Sequence, residues 1–178
     1  MIEISGLKKR FGKLEVLKGI DLEIEGRKVN AIVGPNAAGK TTLIKSILGL
    51  VKPDSGSIFV KGQKLNGIWD YKKYIGYMPQ IARFPENLTA SEVIRLLTDL
   101  RENSAKTDIE LLKSFGLEKE IEKALRTLSG GTRQKVSAVI AFMFHPDILI
   151  LDEPTAGLDP ISSSILKDKI IKEKNKFK

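Results

Sequence analysis

A glycine-rich turn near the start of the chain has the residue types that bind phosphate. Residues 34–41 read G-x-x-x-x-G-K-T, between the apolar run at 31–33, which predicts a buried strand, and a helical pattern beginning past Gly39. The N–H groups of such a turn and the helix N-terminus together favour an anion. Lys40 would contact the β- and γ-phosphates of a nucleoside triphosphate, and the Thr41 hydroxyl would ligate Mg²⁺. The alternative is an ordinary strand-to-helix turn that happens to carry a lysine.

Two carboxylates follow an apolar run later in the chain. Residues 148–151 read I-L-I-L, which predicts a fully buried strand, and Asp152 and Glu153 come directly after it. Ligands of open α/β sheets bind at the carboxyl ends of the strands, where the phosphate loop also lies. Asp152 can therefore hold Mg²⁺, and Glu153 can orient or deprotonate the water that attacks a γ-phosphate.

Three other stretches are less decisive when each is taken alone. The sequence Ser129-Gly130-Gly131 precedes a helix with a buried stripe, and it is either a second phosphate site or a plain N-cap. Phe11 either packs or stacks on an adenine ring, and Gln80 follows a short strand at 75–78. Taken alone, these residues favour the N-cap and packing, and Gln80 indicates little.

The remaining pattern supplies the elements that must position these groups. Alternating apolar residues predict strands at 20–24 and 58–60, so the first part of the chain is rich in strands. Thr89-Ala90-Ser91-Glu92 is a capping box, and a second short helix is predicted over 108–115. A helical insert over 86–127, with a polar loop at 102–106, and a final helix from Ser162 complete the prediction.

Composition indicates an ordinary soluble globular protein. The 178 residues are 42% hydrophobic and 29% charged, without cysteine, and no apolar run approaches the ~20 residues of a membrane span. Met1 leads directly into a strand pattern, so no signal peptide is expected. Six lysines and two acidic residues among the last twelve hold half of the net charge of +8. This predicts a solvated helix end, with no nucleic-acid partner.

Taken in order, these stretches resemble the ATP-binding subunit of an ABC (ATP-binding cassette) transporter over nearly the whole chain. GPNAAGKTT resembles the Walker A loop, YMPQ the Q-loop, LSGGT the signature motif, ILILDEP the Walker B strand and AGLD the D-loop. The resemblance implies an α/β fold, a P-loop NTPase core with an N-terminal antiparallel β subdomain and an inserted helical subdomain. A single ABC ATPase domain at 1–178 is expected, with its core at 1–85 and 128–178 and helices at 86–127.

The same resemblance assigns site residues. It implies that Lys40, Gln80 and Glu153 are catalytic and that Phe11 stacks on adenine. The Mg²⁺ ligands would be Thr41, Gln80 and Asp152. The residues expected to bind ATP are Phe11, Gly34, Pro35, Asn36, Ala37, Ala38, Gly39, Lys40, Thr41, Thr42, Gln80, Ser129, Gly130, Gly131 and Asp152.

Partners follow from the resemblance as well. It implies an ATPase that powers a separate transmembrane permease subunit and forms a homodimer, in which the signature motif of each protomer covers its partner's ATP and Asp159 couples the two sites. The expected location is cytoplasmic, peripheral on the inner face of the cell membrane. A single short cassette with AGLD-P after Walker B resembles subunits of simple exporters more than those of importers. The alternatives are a soluble ABC ATPase outside transport and a truncated ATP-binding fragment with little turnover.

Three departures from the family pattern carry expectations. Ala37 stands where glycine is common, which is tolerated unless that residue needs a positive φ. Thr132 replaces the usual glutamine of the signature motif. The family has a further strand, ending in a histidine, after the D-loop helix; the only histidine here, His145, precedes Walker B. Either the chain is a fragment whose C-terminal part is missing or it is a shortened ATPase, and an exposed apolar sheet edge with low stability is expected.

Overall fold

The computed structural model describes residues 1–67, 70–101 and 107–175, so the expected loop at 102–106 lies outside the described residues. The chain divides into two compact units, built on residues 1–72 and 73–176. The first contains β1 (Ile2–Phe11), β2 (Leu14–Ile24), α1 (Lys40–Ile47), β3 (Ser55–Val60) and β4 (Gln63–Lys64). The second contains β5 (Ile75–Met78), α2 (Ala90–Leu100), α3 (Glu110–Ser114), α4 (Gly130–Phe142), β6 (Ile148–Leu151) and α5 (Pro160–Asn175).

The first unit is an antiparallel sheet with the strand order β2-β1-β3-β4. The strands predicted at 20–24 and 58–60 are confirmed, within β2 and β3. Alternate residues of β1 and β3, including Ile4 and Val60, point into the core, as a period of two requires. Helix α1 contacts β2 and buries Leu43, Ile44 and Ile47. The antiparallel subdomain expected at the N-terminus is thus present.

The buried strand predicted at 31–33 is wrong. Residues 29–35 have no regular secondary structure, and Val33 is 90% exposed. A strand needs a neighbour that takes up its backbone N–H and C=O groups. The ladder between β1 and β2 ends at the pair Ile2–Ile24, and no described strand pairs with residues 29–35. The apolar run had the right composition but lacks the partner that would make it a strand.

The second unit combines a parallel strand pair with helices. β5 pairs with β6 from Ile75–Ile148 to Met78–Leu151. The strand at 148–151 is confirmed, but all four residues are half-buried, so its full burial was wrong. The Thr89 capping box starts α2 as predicted, and α3 is shorter than the predicted helix. In the described ranges, no helix combines the length and apolar character needed to cross a membrane.

The final helix is tied down by a buried lysine. The Lys169 side chain is 4% exposed, and its Nζ lies 2.5 Å from Asp108, 3.0 Å from Glu110 and 3.0 Å from Glu173. Burial would lower the pKa of Lys169, but the hydrogen bonds to Asp108, Glu173 and Glu110 outweigh it and raise the pKa above its ordinary value. The prediction of a solvated helix end is therefore wrong for Lys169, because two of its three partners, Asp108 and Glu110, lie more than fifty residues away and cannot be seen in local charge patterns.

The contact between β5 and α4 depends on the absence of a side chain at Gly76. A Cβ there would lie 2.0 Å from the Ala141 carbonyl oxygen and 2.7 Å from Pro146 Cγ. Backbone cannot yield as a flexible side chain can. We therefore expect Gly76→Ala to lower the free energy of unfolding by about 3 kcal/mol, at the upper end of overpacking costs. Urea unfolding followed by circular dichroism measures this loss.

Gly130→Ala is the matched control for Gly76→Ala. A Cβ at Gly130 would meet nothing within 4 Å, and the residue begins α4. Its unfolding free energy should equal or exceed that of the wild type, because alanine is the better helix former. Equal stability of Gly76→Ala and the wild type would contradict the close packing of β5 on α4.

Candidate functional site

The phosphate loop leads into α1 through a glycine that no other residue can replace easily. Gly39 is the N-cap in a left-handed conformation with φ 92°, and its carbonyl accepts from the Leu43 N–H at 2.8 Å. A Cβ at Gly39 would lie 3.1 Å from Val16 and Leu17. Both the backbone angle and the space therefore require glycine. Lys40 is consequently placed as the first residue of the helix.

The Lys40 ammonium is folded over its own loop. Nζ donates to the Gly34 carbonyl at 2.7 Å and to the Pro35 carbonyl at 3.0 Å. The Ala38 N–H donates to the same Pro35 oxygen at 3.2 Å, which closes the turn. A charged phosphate oxygen is a stronger acceptor for an ammonium than a neutral carbonyl. The geometry thus holds a cation at the loop.

Ala37 has the positive φ at which alanine was not expected to be tolerated in place of glycine. Its φ is +64°, in the left-handed region that favours glycine. Alanine pays a cost of about 1 kcal/mol for this conformation. The family's usual glycine at this position thus has a local physical reason.

Phe11 does not behave as a packing residue. It ends β1, is 49% exposed, and its ring centroid lies 5.4 Å from Lys9 Nζ. The interpretation of Phe11 as a packing residue, which its sequence context alone favoured, is therefore wrong. A half-exposed ring with a cation beside it has a face available for stacking.

In the second unit, the structure brings Gln80 and Glu153 together. Gln80 Nε2 donates to Glu153 Oε2 at 2.7 Å. β5 and β6 end side by side, and the Asp152 N–H donates to the Met78 carbonyl at 2.9 Å, so both side chains leave the carboxyl end of a parallel pair. Glu153 is exposed and has a φ of +49°, an uncommon conformation for a non-glycine residue. Such strain is typical of functional positions.

Asp152 differs from its neighbour because it is buried. Burial raises the pKa of the Tyr77 hydroxyl, and the Asp152 charge raises it further. Asp152, Thr41 and the Gln80 amide oxygen are hard oxygen donors, the class that Mg²⁺ prefers. No group of three or more His, Cys, Asp or Glu side chains suited to a metal occurs among the described residues. Coordination of Mg²⁺ by these three residues stays a prediction.

The signature motif forms the start of α4. The Ser129 hydroxyl accepts from the Thr132 N–H at 3.0 Å, so the N-cap interpretation is confirmed. Ser129 and Gly130 are exposed, whereas a Cβ on Gly131 would lie 3.1 Å from the Gly157 carbonyl oxygen. The start of a helix favours an anion, and these two residues at the start of α4 are exposed. Their contact with a partner's ATP stays a prediction.

Two residues of α4 that contact predicted site residues, or the segment that carries one, were not identified from the sequence. Lys135 Nζ lies 2.9 Å from Asp159, which also accepts from the Ser162 N–H at 2.8 Å and Oγ at 2.7 Å. The Ser162 backbone hydrogen bond and Lys135 hold the pKa of Asp159 well below its usual range. The other residue is Gln134, which is buried and contacts the segment that carries Gln80. A glutamine two residues before Val136, where the apolar stripe of the helix begins, was the available signal.

Comparison with known proteins identifies relatives of this arrangement. The sequence pattern of the family described as ABC transporter matches residues 17–156. The lantibiotic transport ATP-binding protein SrtF of Streptococcus pyogenes is 35% identical over 170 residues, covering 94% of this chain and 72% of that protein. The zinc import ATP-binding protein ZnuC of Vibrio parahaemolyticus is 36% identical over 177 residues, covering 99% of this chain and 64% of that protein.

Solved structures give the same result for the fold. The structure described as the ATP binding subunit of an ABC transporter has a TM-score of 0.89 and 31% identity, covering 98% of this chain and 75% of that one. The dimeric ATP-binding cassette MJ0796, in a post-hydrolysis state bound to ADP and phosphate, has a TM-score of 0.88 and 25% identity, covering 99% and 84%. The predicted α/β cassette fold is confirmed.

Proposed function

The chain belongs to the ABC transporter family, and we propose that it binds and hydrolyses ATP as the energy-supplying subunit of a transporter. One observation carries the hydrolytic part of this proposal. An exposed carboxylate, Glu153, leaves the end of β6 in a strained conformation and is held by the amide of Gln80. A residue that served stability alone would have no need of this exposed and strained arrangement.

Each group has a role that its chemistry allows. Lys40 exchanges its carbonyl partners for the β- and γ-phosphate oxygens of ATP, while Phe11 stacks on the adenine. Glu153 accepts a proton from the water that attacks the γ-phosphate, and Gln80 sets the orientation of that carboxylate. The bond between the γ-phosphorus and the bridging oxygen breaks, and the products are ADP and inorganic phosphate.

Magnesium is part of the same proposal. Thr41, Gln80 and Asp152 would hold it, through a hydroxyl, an amide oxygen and a buried carboxylate. When bound, Mg²⁺ neutralises part of the charge on the phosphates. The burial of Asp152 suits a carboxylate that acts as a fixed ligand, whereas the exposure of Glu153 suits one that exchanges a proton with water.

The partners are proposed from the relatives. SrtF and ZnuC are named as transport proteins, and MJ0796 is dimeric. By analogy this chain pairs with a transmembrane permease subunit at the inner face of the cell membrane and dimerises with a second copy. The exposed start of α4 at Ser129 and Gly130 supports the dimer, because a helix start favours a phosphate and these residues are on the surface.

Phosphate release from the purified chain, supplied with ATP and Mg²⁺, tests the proposal directly. We expect turnover that stops when EDTA is added, together with binding of a fluorescent ATP analogue. ATP binding without phosphate release would contradict the hydrolytic function and favour a nucleotide-binding module.

The transport assignment has its own test. Co-sedimentation with membranes that contain an integral partner supports transport, whereas salt-sensitive binding to nucleic acid would favour an ABC ATPase outside transport.

A further inference from the structure

The side chain of Gln134 forms hydrogen bonds with both ends of the turn that follows β5. Its Nε2 donates to the Pro79 carbonyl at 3.0 Å, and its Oε1 accepts from the Ala82 N–H at 3.2 Å. Gln134 is only 4% exposed, so water does not compete for either hydrogen bond. Gln80 lies between the two bonded positions. One buried amide thus brackets the residue that holds the hydrolytic carboxylate.

The amide is chemically matched to this turn. Pro79 offers a carbonyl but has no N–H, and Ala82 presents an N–H, so the turn needs one donor and one acceptor side by side. Glutamine supplies both on a single rigid group, whereas glutamate or methionine cannot. A buried donor or acceptor left without a partner is costly, so the turn is held in one conformation.

The flanking side chains do not hold the turn by burial. Gln80 and Ile81 are both exposed, and Ile81 is 66% exposed despite being apolar. The Gln80 side chain nevertheless reaches Glu153 at 2.7 Å, which requires its backbone to stay in place. The turn is fixed to α4, whose own residues Val136 and Val139 are buried in the core.

We propose that Gln134 is a positioning residue for ATP hydrolysis, acting through Gln80 on Glu153. The path runs from the α4 core through the Gln134 amide to the Pro79–Ala82 turn, and then through Gln80 Nε2 to the Glu153 carboxylate. Gln134 touches neither ATP nor water in this proposal. The inference rests on the proposed ATPase function, since it concerns the rate of that reaction.

The experiment is a double-mutant cycle. Gln134→Met keeps the length and helix propensity of glutamine but removes both hydrogen bonds. We expect kcat to fall about tenfold, with KM for ATP changed less than about twofold, because what is lost is orientation of the reacting groups. In a Gln80→Ala background the same change should lower kcat less than about twofold, because the group through which Gln134 acts is already gone.

A second readout is independent of turnover. The Ala82 amide should exchange its hydrogen at least about tenfold faster in Gln134→Met, because its acceptor is removed. Ser137→Ala is the matched control: Ser137 is also a buried polar residue of α4, and its replacement should leave kcat and Ala82 exchange unchanged. If Gln134→Met fails to fold, Gln134→Glu retains the acceptor towards Ala82, loses the donor to Pro79, and should show the same fall in kcat.

The outcomes separate the two proposals. A wild-type chain without phosphate release contradicts the ATPase function, while Ala82 exchange still decides whether Gln134 holds the turn. An active wild type overturns the positioning role if Gln134→Met keeps full kcat, or if it loses the same factor in the Gln80→Ala background. Unchanged exchange at Ala82 overturns it as well.

Discussion

Glu153→Gln should bind ATP with wild-type affinity while kcat falls by roughly 10²- to 10⁴-fold, the range that a positioned general base supplies. Glutamine has the same shape, and its Oε1 can still accept from Gln80 Nε2, the contact seen at 2.7 Å. The local structure is therefore kept, but an amide cannot take a proton from water. Single-turnover hydrolysis of radiolabelled ATP, with equilibrium binding measured in parallel, separates the two effects.

Glu122→Gln controls for the loss of one negative charge in the same unit. Glu122 is exposed, so both binding and turnover should match the wild type. If Glu153→Gln hydrolyses ATP at the wild-type rate, Glu153 is not the base. A variant that instead loses ATP binding would show that Glu153 contributes to affinity, contrary to the role proposed for it.

Local chemistry made much of the fold and site predictable. The Thr89 capping box needs only residues three apart, and it starts α2 as expected. The strands β5 and β6 were each predicted from a short apolar run, whereas their pairing, which places Gln80 beside Glu153, is seen in the structure. In each case the physical cause lies within a few residues, or in a general rule for parallel strands.

The failures have the opposite character. The apolar run at 31–33 was predicted as a strand, yet strand formation depends on a distant neighbour that composition does not reveal. Lys169 belongs to a lysine-rich stretch that looked solvated, but Asp108 and Glu110 bury it from sixty residues away. Each error comes from long-range partners, which set whether a backbone pairs or a charge is buried.

Gln134 shows why a positioning residue is harder to find than a catalytic one. Lys40 and Glu153 belong to motifs whose spacing already implies chemistry. Gln134 acquires its role only when α4 lies against the turn at 79–82, fifty residues earlier in the chain. A polar side chain beside a buried helical stripe is the trace that such a role leaves in the sequence.

Lys40→Ala should weaken ATP binding by about 10- to 100-fold, as expected for lost hydrogen bonds to a charged group, and lower kcat by roughly 10²- to 10³-fold. The ammonium is the cation folded over the loop carbonyls of Gly34 and Pro35, and alanine leaves nothing to exchange those carbonyls for phosphate. Alanine favours the helix at least as well as lysine, so α1 should remain intact. Equilibrium binding of a fluorescent ATP analogue and phosphate release measure the two losses.

Lys45→Ala makes the loss specific to position. Lys45 lies on the same helix, so its replacement by alanine removes the same charge. Unlike Lys40, Lys45 is exposed and lies in the last turn, where its charge interacts favourably with the helix dipole. It should bind ATP and release phosphate as the wild type does. Equal weakening in both variants would mean that α1 attracts ATP only by its net charge. Loss confined to Lys40→Ala would mean that the loop binds phosphate through a single placed ammonium, the group that donates to the Gly34 carbonyl in this structure.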